Sequence, residues 1–199
     1  DGGFDIIIAD TSGHGVSAAL VSVQIRAVVR TFIADAQIGG RRPGPRDVLK
    51  HLNDFTLATF SGQFFMTMYY ISYDSATATL TWSGAGHNPF LFLPGQSAEL
   101  TQFFSQNLPL GLVAEAEFTQ DQLDWNIGDR VLLYTDGLVE AVDADGDVFG
   151  PDRLIEVLKS NCSLTGEALL DSLLLEVEVY SGAGSRFPDD VTIVMMERT

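Results

Sequence analysis

Apolar residues follow two different periods along the 199-residue chain, and each change of period separates predicted strands from predicted helices. Residues 4–9 are almost continuously apolar and rich in β-branched side chains, which predicts a buried strand. After Gly15, apolar residues at helical spacing predict a long, well-buried helix to about Ala36. A loop rich in Gly, Pro and Arg at 39–45 separates this helix from a second one at 46–60.

Beyond residue 64 the chain alternates mainly between apolar and polar residues. The pattern predicts strands at 66–72, 76–82, 88–93, 117–125, 130–135 and 191–196, with two helices at about 151–160 and 165–181. Strands mixed with two pairs of helices are typical of a layered α+β or α/β domain. We therefore expect a single domain over residues 1–199.

Composition narrows the possible partners. Hydrophobic residues make up 46% of the chain, which is enough for one sizeable core, and no apolar run approaches the roughly 18 residues of a membrane span. A formal net charge of −16 argues against nucleic acid or an anionic membrane as the main partner. The single cysteine, Cys162, excludes an internal disulfide and a cysteine-based zinc site, and it favours a reduced, cytoplasmic setting.

Carboxylates stand at the ends of three predicted strands. Asp10 follows the first strand, Asp136 follows the strand at 130–135, and Asp189 and Asp190 open the last strand. If these strands are neighbours, the carboxylates gather at one rim, where they repel one another unless a cation lies between them. Mg²⁺ and Mn²⁺ prefer such oxygen ligands. The alternative is that these aspartates only serve turns, and the pattern leaves both interpretations open.

Three histidines are candidates for acid–base chemistry. His14 lies between Gly13 and Gly15 just before the long predicted helix, and it is either a general acid or a turn residue, of which we favour the turn. We interpret His87 as a structural residue of a hairpin and His51 as a residue of the second helix's face.

Several motifs resemble those of a known family. Residues 10–15 read Asp-Thr-Ser-Gly-His-Gly, which resembles the Asp-x-Ser-Gly-His-Gly signature of the bacterial type 2C (PPM) metal-dependent serine/threonine phosphatases. Segments similar to the family's other motifs follow in the family's order, at 83–89, 108–112, 128–141, 149–154 and 189–192. The resemblance covers nearly the whole chain and is to the branch of the stage II sporulation phosphatases and the phosphatases of anti-sigma-factor antagonists.

The resemblance implies an α+β fold, a four-layer α-β-β-α sandwich with two mainly antiparallel sheets and a metal centre for two Mn²⁺ or Mg²⁺ ions. By motif match, Asp10 would bridge both ions and Thr11 would offer its main-chain carbonyl. Asp136 and Asp189 would be further ligands, with Asp190 ranked below Asp189. The catalytic residues implied are Asp10, Asp136 and Asp189, acting through a water that two cations activate for attack on phosphorus.

The substrate that the resemblance implies is phosphoserine or phosphothreonine on a protein, in particular an anti-sigma-factor antagonist. We expect the chain to be the C-terminal part of a longer protein that carries an upstream sensory or receiver domain.

One family motif has no clear counterpart. The family carries an earlier Gly-Gly-Asp-aromatic motif on the strand before Asp10, whereas Asp5 of Gly2-Gly3-Phe4-Asp5 falls within the same predicted strand as Asp10. Either that first strand lies upstream of this chain, or the chain lacks a ligand. The second case leaves a pseudophosphatase, a partner-binding signalling domain with an incomplete metal site, as the alternative.

Two other site types fit the sequence less well. A serine hydrolase using Ser12 lacks the Gly-x-Ser-x-Gly nucleophile elbow. Asp143, Asp145 and Asp147 have the initial spacing of a calcium loop, but Val148 and Leu154 stand where such a loop needs Gly and Glu, which favours a solvated turn.

Overall fold

The computed structural model describes residues 2–13, 15–95, 97, 99–182, 187 and 189–199. The elements in chain order are β1 (Phe4–Thr11), α1 (Val16–Ile38), α2 (Pro45–Phe60), β2 (Met66–Asp74), β3 (Thr79–Ala85), β4 (Phe90–Leu93), β5 (Thr101–Phe103), β6 (Asp121–Asp124), β7 (Arg130–Tyr134), a 3₁₀ turn at Asp136–Leu138, α3 (Gly150–Ser160), α4 (Gly166–Ser181) and β8 (Ile193–Glu197). The chain divides into two compact units, a first unit of Asp1–His87 with Ser105–Asp124 and a second unit of Asn88–Phe104 with Trp125–Thr199.

The first unit is built on a four-stranded antiparallel sheet in the order β1-β2-β3-β6. Helices α1 and α2 pack against the face of β2 that carries Met66, Met68 and Tyr70. Because side chains alternate between the two faces of a strand, Thr67 and Tyr69 leave from the other face. In the core of this unit, Ile25 of α1, Leu49 of α2 and their apolar neighbours form one cluster with the side chains of Met66, Met68 and Tyr70.

The second unit repeats this arrangement with a different sheet. Its four antiparallel strands run in the order β5-β4-β7-β8, and helices α3 and α4 share one apolar cluster with strands β4 and β7. All five residues of β7 are buried. Strand β7 lies between β4 and β8 in this sheet, so its position depends on both its neighbours and the helices.

The predicted fold class is confirmed: the protein has an α+β fold, and its described residues form two antiparallel sheets and four helices. All four helices lie within two residues of their predicted bounds at both ends. The short strand β5 was not predicted, since its Thr-Gln-Phe sequence carries too little alternation to mark a strand. The strand predicted at 117–125 is shorter than expected, and β6 occupies only Asp121–Asp124.

Two predictions of burial are wrong. Strand β1 was predicted to be buried, but Phe4 and Ile7 are 40% and 39% exposed, because β1 is the edge strand of its sheet and pairs with β2 alone among the described residues. Helix α1 was also predicted to be well buried, yet only Val21, Ile25 and Val29 of its 23 residues are buried. The spacing of apolar residues identified the strand and the helix correctly, but it did not show how many faces of each are covered by other elements.

The apolar character of α1 also corrects the expectation that no segment is long and apolar enough to cross a membrane. The helix contains an 18-residue window of mean hydropathy 1.5, of which 17% is buried. A mostly buried core helix and a signal sequence near the N-terminus pass the same test, so length and apolar character alone are weak evidence for a membrane span. Residues Val21, Ile25 and Val29 recur every four positions and pack into the core of the first unit, as in an amphipathic helix on a sheet.

Burial along α4 gives a matched test of the second unit's core. Leu173 is fully buried, whereas Leu175 on the same helix is 60% exposed. We expect Leu173→Ala to lower the free energy of unfolding by about 2–5 kcal/mol, since it removes buried methyl groups and leaves a cavity. Leu175→Ala should change it by no more than about 0.5 kcal/mol. Urea unfolding followed by circular dichroism measures both, and equal losses would contradict this description of α4.

Candidate active site

Asp10 lies at the end of β1, on the face of the first sheet opposite α1 and α2. Its Cα is paired with that of Thr67 in β2, so both side chains leave the same face of the sheet. Ile8, two residues before Asp10 in β1, is paired with Tyr69 of β2, and both side chains lie on this same face. An apolar strand thus places Asp10 beyond its last apolar residue on that face, as the sequence predicted.

His87 is held beside this face by a hydrogen bond. Its Nδ1 lies 2.8 Å from Thr67 Oγ1, and the imidazole is 7% exposed and meets the Tyr69 ring edge to face. The contact ties residue 87, just past the end of β3, to β2. This supports the structural role predicted for His87.

The turn after β1 is fastened to the chain before β2. The Ser12 amide donates to the Phe65 carbonyl at 2.9 Å, and the Phe65 amide donates to Ser12 Oγ at 3.0 Å. The Thr11 hydroxyl lies 3.2 Å from Ser22 Oγ of α1. The Ser12 hydroxyl thus accepts a turn hydrogen bond. His14, for which a turn role was preferred, lies outside the described residues.

Asp136 begins the 3₁₀ turn, which is separated from the buried strand β7 by Thr135 alone. Its carboxylate Oδ1 accepts the Gly137 amide at 3.0 Å, and its carbonyl accepts the amides of Val139 and Glu140, both at 2.9 Å. The side chain is half-buried. The turn fixes where the Asp136 backbone lies, and the remaining carboxylate oxygen has no hydrogen bond within the described chain that would occupy it.

Asp189 and Asp190 are exposed residues that precede β8. The Asp190 amide donates to Asp189 Oδ1 at 2.7 Å. Thr135, at the end of β7, reaches this segment with its hydroxyl, which donates to the Asp190 carbonyl at 3.2 Å and accepts the Thr192 amide at 2.9 Å. The second unit therefore brings Asp136 and the 189–190 pair to one end of the neighbouring strands β7 and β8.

The predicted site residues fall in both units. Asp10 and Thr11 belong to the first unit, and Asp136, Asp189 and Asp190 belong to the second. Over the described ranges, no three His, Cys, Asp or Glu side chains are gathered so that they could hold a metal ion. The donor chemistry itself fits Mg²⁺ or Mn²⁺, because every predicted ligand offers a carboxylate or carbonyl oxygen.

Tyr134 is the last residue of β7, and its phenol carries no charge at neutral pH. Burial raises the pKa of the Tyr134 phenol to about 12, because the phenolate is poorly solvated inside the core.

The possible calcium loop is a hydrogen-bonded turn. Asp143 Oδ1 accepts the amides of Asp147 at 2.9 Å and Asp145 at 3.0 Å. The Asp147 amide is the main reason why the pKa of the Asp143 carboxyl lies below its usual value. This carboxylate serves the turn, as the sequence predicted.

The contacts of Thr135 and Gly137, which join Asp136 to the segment before β8, were not predicted from the sequence. A Cβ on Gly137 would lie 2.7 Å from the Asp190 carbonyl oxygen, so this position needs glycine for a close backbone approach rather than for an unusual φ. The Thr-Asp-Gly order was visible, but only the pairing of β7 with β8 reveals what its first and third residues contact.

Comparison with known proteins gives the relatives of the chain. It is 26% identical over 197 residues to the phosphoserine phosphatase RsbU of Bacillus subtilis, a match that covers 98% of this chain and 55% of RsbU. It is 27% identical over 141 residues to the phosphoserine phosphatase RsbP of the same organism, over 69% of this chain and 33% of RsbP. The chain thus spans about half or less of the length of these relatives.

Solved structures share the fold. The SiaA PP2C domain of Pseudomonas aeruginosa superposes with a TM-score of 0.81 at 18% identity, over 99% of this chain and 80% of that one. The RsbU and RsbW domains of Rv1364c from Mycobacterium tuberculosis give a TM-score of 0.79 at 26% identity, over 98% of this chain and 53% of that one. The catalytic domain of the serine/threonine phosphatase PstP, solved with two manganese ions, gives a TM-score of 0.62 at 19% identity, over 96% of this chain and 86% of that one.

A family profile accounts for the whole length of the chain. The profile of stage II sporulation protein E (SpoIIE) matches residues 1–199, which include both units and every candidate carboxylate. The SiaA structure is that of a PP2C domain, in agreement with the family resemblance found in the sequence. The chain belongs to the SpoIIE family.

Proposed function

We propose that this chain is a metal-dependent protein phosphatase that hydrolyses phosphoserine or phosphothreonine on a protein substrate. The observation that carries the proposal is the junction in the second unit, where Asp136 and the 189–190 pair meet at the end of β7 and β8. Membership of the SpoIIE family supports the reaction class, since its relatives RsbU and RsbP are phosphoserine phosphatases.

The proposed metal ligands are the residues implied by the family resemblance. Asp10 and the main-chain carbonyl of Thr11 would hold cations from the first unit, and Asp136, Asp189 and, with a lower rank, Asp190 from the second. Manganese in the PstP structure supports Mn²⁺ or Mg²⁺ as the cation. If bound by these residues, two such ions would lower the pKa of a water and would neutralise charge on a phosphoryl group.

The chain's own residues orient these ligands. The β1–β2 pairing fixes Asp10 opposite Thr67, and the turn at Ser12 is tied to Phe65. The 3₁₀ turn fixes Asp136. Ligands held by strands and hydrogen-bonded turns lose little conformational entropy when a cation binds, so this organisation favours catalysis as well as binding.

The substrate proposed is a phosphorylated anti-sigma-factor antagonist, and the second partner proposed is an upstream sensory or receiver domain of a longer protein. Support comes from the relatives: Rv1364c joins an RsbU domain to an RsbW domain in one structure. A cytoplasmic setting stays a prediction of the sequence. A pseudophosphatase is the alternative, because the family's earlier Gly-Gly-Asp-aromatic motif has no clear counterpart at Gly2-Gly3-Phe4-Asp5.

Replacement of a proposed ligand in the second unit tests the reaction. With saturating Mn²⁺ and a phosphoserine protein as substrate, Asp136→Asn should lower kcat/KM at least about 100-fold, since a neutral amide binds a hard cation far more weakly. Asp171→Asn, on the exposed surface of α4, is the matched control and should leave the rate unchanged. Equal rates for the two variants would place the site elsewhere, and a wild-type protein that binds its substrate but stays inert with Mn²⁺ would favour the pseudophosphatase.

Two aspartates of β1 provide a second test. Asp5 forms an exposed ion pair with Arg42 at 3.2 Å, whereas Asp10 is a proposed ligand at the strand's end. Asp10→Asn should abolish Mn²⁺-dependent phosphate release, and Asp5→Asn should retain it, with stability lowered by no more than about 1 kcal/mol. If Asp5→Asn removed the activity while the protein stayed folded, Asp5 rather than an upstream residue would be the family's earlier acidic ligand.

A further inference from the structure

Thr135 stands at the junction between the end of β7 and the segment that leads into β8. Its side chain is 6% exposed, although a hydroxyl is usually found at the surface. The hydroxyl donates to the Asp190 carbonyl at 3.2 Å and accepts the Thr192 amide at 2.9 Å. The Thr135 amide also donates to the Thr192 carbonyl at 3.0 Å. Three hydrogen bonds thus connect one residue to both sides of Val191.

Gly137 contacts the same segment two residues later. An added Cβ would stand 2.7 Å from the Asp190 carbonyl oxygen and 3.2 Å from that of Asp189. Both distances are shorter than ordinary contacts, so the backbone at 137 packs directly on the backbone at 189–190. Asp136 lies between these two contacts, and each residue next to it is fixed against the chain that carries Asp189.

Backbone pairing alone does not account for this arrangement. The β7–β8 ladder ends with the pair Tyr134 and Ile193, and Asp189 and Asp190 lie beyond it as exposed, non-strand residues. An exposed segment without ladder partners loses its position readily, because water competes for its carbonyl and amide groups. The Thr135 hydroxyl supplies the side-chain hydrogen bonds that the ladder does not provide.

We infer that Thr135 is a positioning residue that sets the distance between the Asp136 and Asp189 carboxylates, and so the affinity of the second unit for a divalent cation. The inference rests on the proposed function, since it assumes that these carboxylates bind a cation. Residues that orient metal ligands through hydrogen bonds typically change metal affinity or activity by about 10- to 100-fold when they are replaced. Thr135 contacts neither substrate nor metal in this role.

Three variants test the inference: Thr135→Val keeps the shape of the side chain without its hydroxyl, Thr135→Ser keeps the hydroxyl, and Gly137→Ala pushes against the Asp190 carbonyl. Calorimetric titration of the full chain with Mn²⁺ should show affinity about 10- to 100-fold weaker for Thr135→Val and within about threefold of wild type for Thr135→Ser. Gly137→Ala should weaken Mn²⁺ binding in the same direction. In metal-free protein, amide hydrogen exchange at Thr192 should be faster in Thr135→Val than in Thr135→Ser.

A purely structural role for Thr135 would give a different result. It would make Thr135→Val less stable to heat without changing its Mn²⁺ affinity as a folded protein, and that outcome would overturn the inference. Loss of Mn²⁺ affinity with rescue by Thr135→Ser supports it. If the wild type releases phosphate with Mn²⁺ but Thr135→Val binds Mn²⁺ as tightly as the wild type, the inference is wrong and the proposed function stands. If the wild type neither binds Mn²⁺ nor releases phosphate, both the proposed function and the inference are wrong.

Discussion

The second unit depends on the burial of β7, a strand whose five residues are all inaccessible to solvent. A strand in such a position must be apolar or must satisfy each polar side chain internally, because an unpaired buried polar group is costly. Three consecutive apolar residues, Val131, Leu132 and Leu133, fill its centre. Polar chemistry is therefore confined to the two ends of the strand, where Arg130 and the Thr135–Asp136 pair lie.

At the first end, Arg130 meets this constraint with two of its three guanidinium nitrogens, whereas its buried Nε has no hydrogen-bond partner in the described part of the chain. Arg130 is 1% exposed, and its guanidinium donates to the carbonyls of Gly95 and Cys162, both at 2.6 Å, and of Leu164 at 2.8 Å. These carbonyls belong to the chain after β4 and to the connection between α3 and α4. Arg130 thus joins β7 to two other segments of the unit, and the start of β7 is fixed by hydrogen bonds to neutral acceptors. At the other end, Thr135 and Gly137 hold the segment that carries Asp189, so both ends of the same strand organise loops.

The sequence predicted part of this site because strand ends and aspartates are local features. Apolar runs that stop at Asp10 and Asp136 can be recognised without knowledge of the fold. The roles of Thr135 and Gly137 depend on which strand pairs with β7, and the sequence spacing of some 55 residues between Thr135 and Asp190 contains no sign of that pairing. The exposure of β1 was missed for a related reason, since period alone does not show that a strand lies at the edge of a sheet.

The dependence of phosphate release on free Mn²⁺ tests the account most directly. Protein stripped of metal with a chelator and then titrated with Mn²⁺ should release phosphate from a phosphoserine protein at a rate that rises from near zero and saturates as the carboxylates are occupied. A rate that is the same with chelator as with Mn²⁺ would contradict the assignment of Asp10, Asp136 and Asp189 to a metal-dependent phosphatase.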